Sequence, residues 1–387
     1  MAINIKNNAL AIVENYYQNY GIRAGELKKQ GNRIIGYLCA FTPLEILHAA
    51  GFLPIRIKGN ARESVTSADT QMETLVCPLV RHCYDMASKN NYDFLDGLVI
   101  PHACDSISRT YPIWKYTLNL HYSHFINMPH GTDASSIDFF REELNMFIRS
   151  LGKFKGSEIT ADKLVNSINT FNTYRAKVRE LFNLRKSNPP LITGEEMTKV
   201  LVAGMSIPVE EAITLVSNVI TEIKQRPPTK NNKSRIMVFG AEIDDASFIK
   251  LIEDCGSSVV TDDLCPGARE YSHDVATTME PVEAIARRYL LEIKCGRTYR
   301  ESKGSYQQYL EARFGHISSR IKDFKVDGVL IYIYRFCDPF GFEVPAIKSY
   351  IETLNTPVFY LEGNYSMGDA GRLQTRIQAF IEQINQK

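Results

Sequence analysis

Two α/β lobes, each built on a mostly parallel sheet and facing each other across a cleft, joined by a helical segment, are what this 387-residue chain predicts. Short apolar runs alternate with helical spacing twice, before residue 137 and again after residue 227. Such alternation covers a parallel sheet with helices on both faces and puts ligands at the carboxyl ends of the strands. Between the two stretches, long helical patterns carry few strand signals. The expected division is 1–137 for a first lobe with its opening helix, 138–226 for a helical connection and 227–387 for a second lobe.

Met1 to Tyr20 mixes Asn, Lys and Glu into its apolar residues, as a first amphipathic helix does and the apolar core of a secretory signal does not. Arg33 to Leu38 is a short strand, Pro43 opens a helix that runs to Ala50, and Gly51 stops it before a strand at Leu53 to Ile57. Met72 to Ser88 has helical spacing, and Asp96 to Ile100 is the continuous apolar run of a buried parallel strand. Helices follow at Ile159 to Leu184 and Val209 to Lys224. The polar, proline-initiated stretch Arg226 to Ser234 reads as a linker. In the second unit Arg235 to Gly240 is a strand, Ala246 to Asp254 a helix ended by Gly256, Ser258 to Thr261 a strand and Val329 to Tyr334 a central strand. The two units echo each other: Asp93-Phe leads through Asp96-Gly97 and an apolar strand to Cys104-Asp105, and Asp323-Phe leads through Asp327-Gly328 to Cys337-Asp338.

The 45 Lys and Arg residues against 44 Asp and Glu leave a formal charge of +1, without the basic footprint of a nucleic-acid binder. The longest apolar run, Gly328 to Tyr334, is far short of the roughly 20 residues that span a bilayer. A cytoplasmic chain that engages neither nucleic acid nor membrane is expected.

Eight cysteines are too few for a disulfide-stapled domain, and in a reducing compartment they are more often buried, metal-binding or catalytic. Six share one context: Cys39, Cys77, Cys104, Cys265, Cys295 and Cys337 each stand where an apolar run gives way to a turn-forming stretch. Strand ends of this kind carry function in open α/β sheets. None has the C-x2-C spacing of a structural zinc site. Iron–sulfur clusters take thiolates from separate strands and need no close pair. The alternative is that these thiols are small core hydrophobes, which is the reading for Cys255 and the leaning for Cys83.

At this point a family resemblance emerges. Gly36-Tyr-Leu-Cys39-Ala-Phe-Thr-Pro43, Cys77-Pro78, Cys104-Asp105, Phe336-Cys337-Asp338-Pro339 with Glu343-Val-Pro345, and the closing stretches Tyr360 to Tyr365 and Gly371 to Phe380 resemble the 2-hydroxyacyl-CoA dehydratase and benzoyl-CoA reductase family. The resemblance implies two flavodoxin-like (Rossmann-like) lobes, oxygen-sensitive iron–sulfur chemistry and assembly as a homodimer or heterodimer with a related subunit. It also implies an ATP-hydrolysing iron–sulfur activator protein as electron donor; this chain has no G-x-x-x-x-G-K-[ST] loop of its own. Cys39, Cys77 and Cys337 match the three ligands of a single four-iron cubane in the dehydratases. All six cysteines resemble the set that holds a double cubane in another branch, and Pro101 to Ser106 and Phe336 to Phe340 resemble the C-type subunit of the reductases. The implied substrate is an acyl-CoA thioester, dehydrated or reduced, or in the double-cubane branch a small reducible molecule. A non-catalytic cluster-bearing partner subunit is the alternative.

Glu45, His102 and Arg335 are the candidates for catalysis, with His48, Asp105, Arg109, Asp338 and Glu343 able to tune a cluster or move protons. Plainer roles compete. Glu45 and His48 stand three apart on a helix and could be a surface pair, and Asp105 and Asp338 could cap the helices after their strands.

Overall fold

The computed structural model describes residues 8–227, 233–300 and 304–386. Helices α1 (Ala9–Gln18) and α2 (Ile22–Lys29) lead into β1 (Ile34–Tyr37), α3 (Leu44–Ala49), β2 (Leu53–Arg56), α4 (Pro78–Ser88), β3 (Gly97–Pro101), α5 (Asp105–Thr117) and β4 (Tyr122–Ile126). Four helices follow: α6 (Ala134–Lys155), α7 (Ala161–Asn183), α8 (Gly194–Gly204) and α9 (Val209–Lys224). The second lobe runs β5 (Ser234–Gly240), α10 (Ala246–Asp254), β6 (Ser257–Asp263), α11 (Ala268–Tyr271), α12 (Pro281–Arg287), α13 (Tyr306–Asp323), β7 (Gly328–Tyr334), α14 (Asp338–Thr353), β8 (Val358–Gly363) and α15 (Ala370–Asn385). Residues 1–7 of the expected first helix and 228–232 of the expected linker lie outside the described residues.

Both sheets are parallel throughout and share one strand order, β2-β1-β3-β4 and β6-β5-β7-β8. This is the flavodoxin-like order, in which ligands gather where the chain reverses direction beside the first strand. The central strands β3, β5 and β7 are buried along their whole length, which is why they read as unbroken apolar runs.

The helical segment bridges the lobes: α7 packs on α3 of the first, and α8 on α10 and β6 of the second. At the contact Arg56, 2% exposed at the end of β2, ties to Glu242 at 2.6 Å and Glu270 at 2.9 Å. Leu38, Ile57 and Cys83 join Ile243, Leu264 and Tyr365 in one apolar cluster across the same seam.

Helix α4 begins at Pro78, six residues later than the spacing from Met72 suggests. Proline is preorganised for the first helical turn and biases the residue before it away from the helix, so Cys77 becomes the N-cap. Gly240 closes β5 against β7, where a Cβ would stand 2.3 Å from the Tyr332 carbonyl oxygen. Backbone cannot yield as a side-chain tip can, so Gly240→Ala is expected to cost about 1–3 kcal/mol in urea denaturation. Among the described residues no helix is long and apolar enough to cross a membrane.

Candidate metal centre

The six cysteines approach the seam from both lobes. Cys39 follows β1 in a left-handed backbone conformation, φ 68°, uncommon outside glycine. Its turn is held by Thr42, whose N–H donates to the Cys39 carbonyl at 3.3 Å and whose hydroxyl donates to the Leu38 carbonyl at 2.8 Å. Cys77, Cys104 and Cys337 are the N-caps of α4, α5 and α14. None of the three sulfurs accepts a capping hydrogen bond from its helix, so the first-turn N–H groups of Leu79, Val80, Ile107 and Phe340 lie near the thiols without bonding them. Each helix also brings the positive end of its dipole to a thiol. Asp105 and Asp338, expected as possible caps, are instead the first helical residues, and the cysteines before them take the cap position. Cys104 and Cys337 follow β3 and β7, which hold the same place in their sheets, so the sequence echo corresponds to a structural one. Cys265 stands just past β6 with its N–H on the Ala241 carbonyl at 2.9 Å, and Cys295 follows a π-helical turn, Arg288–Glu292.

Burial pushes the Cys39 thiol well up, and the sulfurs of Cys265 and Cys295 push it further. Burial likewise raises Cys77 to about 11, Cys104 to about 12 and Cys265 to about 12. It raises Cys337 well above the usual range, with the sulfurs of Cys77, Cys104 and Cys265 adding to it. Two triads emerge, Cys39–Cys265–Cys295 and Cys77–Cys104–Cys337, linked because Cys104 feels Cys295 and Cys337 feels Cys265. Each triad mixes both lobes. Among the described residues no three His, Cys, Asp or Glu side chains stand close enough to hold a single metal ion. A cubane is larger than one ion and draws its thiolates from farther apart.

The surroundings test whether an anionic cluster fits. Arg297 is 6% exposed, and its two terminal nitrogens donate only to the carbonyls of Pro129 at 2.9 Å and Met128 at 3.1 Å. Its Nε has no partner, no carboxylate pairs with it among the described residues, and it faces Cys295, Cys39 and Cys104. A buried cation without a countercharge is costly. Thiolates holding an iron–sulfur cluster would supply that charge, so the residues present fit the group. Arg269 donates from Nη1 to the Cys265 sulfur at 3.1 Å and from Nη2 to the Asp263 carboxylate at 3.1 Å. Neither arginine stood out in the sequence, though Cys295-Gly-Arg297 and Cys265-Pro-Gly-Ala-Arg269 set both within four residues of a cysteine.

Residues 39–384 match the family described as 2-hydroxyglutaryl-CoA dehydratase, D-component. The chain belongs to this family. It is 24% identical to the (R)-phenyllactyl-CoA dehydratase beta subunit of Clostridium sporogenes, over 92% of this chain and 93% of that one. It is 25% identical to the C-type benzoyl-CoA reductase subunit of Thauera aromatica over 97% of both, and 23% identical to the (R)-2-hydroxyglutaryl-CoA dehydratase beta subunit of Acidaminococcus fermentans over 92% and 94%.

The other candidates in this D-component family member are placed less uniformly. His102 lies two residues before Cys104, half-buried, its N–H on the Ile126 carbonyl at 2.8 Å and its ring 5.2 Å from that of His130. Arg335 lies two residues before Cys337, about half exposed, with Nε 3.9 Å from the Glu362 carboxylate. Glu45 is fully buried and not a surface partner of His48. Its carboxylate accepts from Arg175 and, at 2.8 Å, from the Tyr289 hydroxyl. Burial raises its pKa, but Arg175 and Arg288 outweigh burial and hold it below the usual range. His48 instead meets Ser167 and Glu210, each at 2.9 Å. Glu343 pairs with Arg313 at 2.5 Å, and Arg109 lies exposed 3.9 Å from Asp105. Cys83 is fully buried with its sulfur 3.8 Å from the Ile57 carbonyl, and Cys255 sits outside the cysteine group, 3.7 Å from the Gln374 carbonyl.

Proposed function

We propose that the chain is an iron–sulfur subunit of an acyl-CoA dehydratase or reductase, taking low-potential electrons from an ATP-hydrolysing activator protein. The convergence of six thiols on one seam carries this reading. A bound cluster supplies single electrons at potentials down to about -700 mV. The chain supplies the rest. Cys77 and Cys265 are buried and the other four half-buried, the N-termini of α4, α5 and α14 offset thiolate charge, and Arg297 provides a fixed countercharge. His102 and Arg335, two residues ahead of a thiol at matching strand ends, are the nearest groups to move a proton or hold an anion. Behind Arg269 lies a cavity of about 470 Å³ whose cations Arg179, Lys186, Lys294 and Arg320 are interspersed with Asp263, Glu292 and Asp323.

The relatives are named as beta or C subunits, and a sibling subunit or a second copy is expected here as well. Leu75, Phe336 and Phe342, near Cys77 and Cys337 in the chain, are 70%, 42% and 85% exposed and offer apolar contact to a docking protein. A double-cubane reductase of a small non-CoA molecule is the second reading. It is favoured because all six cysteines, and not only Cys39, Cys77 and Cys337, gather at the seam.

Iron and acid-labile sulfide per chain, measured after purification without oxygen, test the proposal. About eight irons, falling sharply in Cys104→Ser or Cys265→Ser, establish the double cubane. About four irons, indifferent to those changes, establish single-cubane ligation. No iron after reconstitution overturns the proposal. Substrate turnover that needs both activator and ATP separates an enzyme from a carrier.

A further inference from the structure

The two thiol triads sit in unequal electrostatic surroundings. Arg269, 3% exposed, touches the Cys265 sulfur directly, and its guanidinium is fixed by the Asp263 carbonyl at 2.7 Å and by the Phe340 ring at 4.8 Å. Arg300, five residues after Cys295, donates to the Ile293 carbonyl at 3.2 Å beside the same triad. Arg297 stands between the triads. Three guanidinium groups therefore lie around Cys39, Cys265 and Cys295, against two carboxylates: Asp263, bonded to Arg269, and Glu242, which faces Cys39 and Cys265 and is paired with Arg56 at 2.6 Å. The other triad meets three helix N-termini, worth roughly half a charge each. The Asp338 carboxylate, directly after Cys337, faces Cys77 and Cys104 and opposes that charge, whereas Asp105 is exposed beside Arg109.

We propose that the site is electrically polarised, with an added electron residing at the Cys39–Cys265–Cys295 end and Arg269 the positioning residue that sets it there. This rests on the iron–sulfur reading above. A hydrogen bond to a ligand sulfur and a nearby positive charge both favour the more negative, reduced state. Arg269 supplies both through one contact, and it touches a ligand sulfur and no reacting atom. The electron comes from an external one-electron reductant, such as titanium(III), which is itself oxidised to titanium(IV).

The loaded protein, labelled with 15N-arginine and partly reduced, gives the decisive signal in pulsed electron paramagnetic resonance. Coupling between the unpaired spin and an arginine nitrogen, lost in Arg269→Lys, is the expected result. In a potentiometric titration Arg269→Gln is expected to disfavour reduction at least tenfold, about 59 mV for a one-electron couple, with Arg269→Lys falling between it and the parent protein. Iron present without arginine coupling in the parent protein overturns the inference. If neither variant retains iron, labelled Arg297→Lys and Arg300→Lys proteins decide: coupling that survives in both assigns it to Arg269, and coupling lost in either overturns the inference. Absence of iron in the parent protein counts against the cluster reading itself, so the two failures are distinguishable.

Discussion

Metal-free protein is expected to lose stability steeply once the pH rises above 9. Cys77, Cys104 and Cys265 titrate at about 11, about 12 and about 12 when folded, against an ordinary thiol value of 9.0, and Cys39 and Cys337 are also raised by burial. A raised thiol pKa means that the folded chain holds its protons where the unfolded chain releases them. The stabilising contribution is thus whole below pH 9 and is lost as the pH climbs toward the folded values. Each thiol costs up to about 1.4 kcal/mol per pH unit in that window, so the three whose folded values lie near 11 and 12 cost on the order of 3–4 kcal/mol by pH 10, and Cys39 and Cys337 act in the same direction. That is a substantial part of a margin of roughly 5–15 kcal/mol. Protein loaded with the proposed cluster would already have given up these protons, and its stability should stay flat over the same unit. Urea midpoints at pH 8, 9 and 10 for both forms check this, and parallel curves would refute it. Buried tyrosines such as Tyr37 and Tyr271 titrate upward in both forms, so the comparison is read below pH 10.

Glu45→Ala is expected to destabilise the protein by about 3–5 kcal/mol, because it leaves the buried Arg175 guanidinium without its countercharge. The damage spreads beyond one pair. Glu45 binds α3 to α7 through Arg175, its carbonyl accepts from Ser167 at 2.8 Å, and Tyr289 joins both its carboxylate and the Leu44 N–H at 3.1 Å. Helix α3 directly follows the Cys39 turn, so the clamp also fixes that thiol. Glu45→Gln keeps hydrogen-bonding capacity and should lose less. Denaturation midpoints and iron content measured together check this; unchanged stability with lost turnover would show the carboxylate at work in the chemistry instead.

Strands that lie between two others were legible because burial on both faces leaves only apolar residues, as in Val329 to Tyr334. The edge strands Tyr122–Ile126 and Val358–Gly363 were not, since their half-exposed positions admit Ser, His and Glu. Helices α5 and α14 each contain an internal proline, Pro112 and Pro345, which breaks the pattern that announces a helix. The cysteines were visible through the turn that follows each one. The charges that serve them were less so, because Arg269 and Arg297 act through distances that only the folded chain defines. Glu45 showed helical spacing but not its partner, which lies 130 residues away.

The interleaving of the two triads bears on how the protein is made. Cys77 and Cys104 wait for Cys337, and Cys39 waits for Cys265 and Cys295. If the triads hold a cluster as proposed, a nascent chain completes the first only at Cys295, about three-quarters of the way along, and the second only at Cys337, nearly nine-tenths of the way. On that proposal loading is a late step in biogenesis, and chains that stop short of Cys295 are expected to accept no iron.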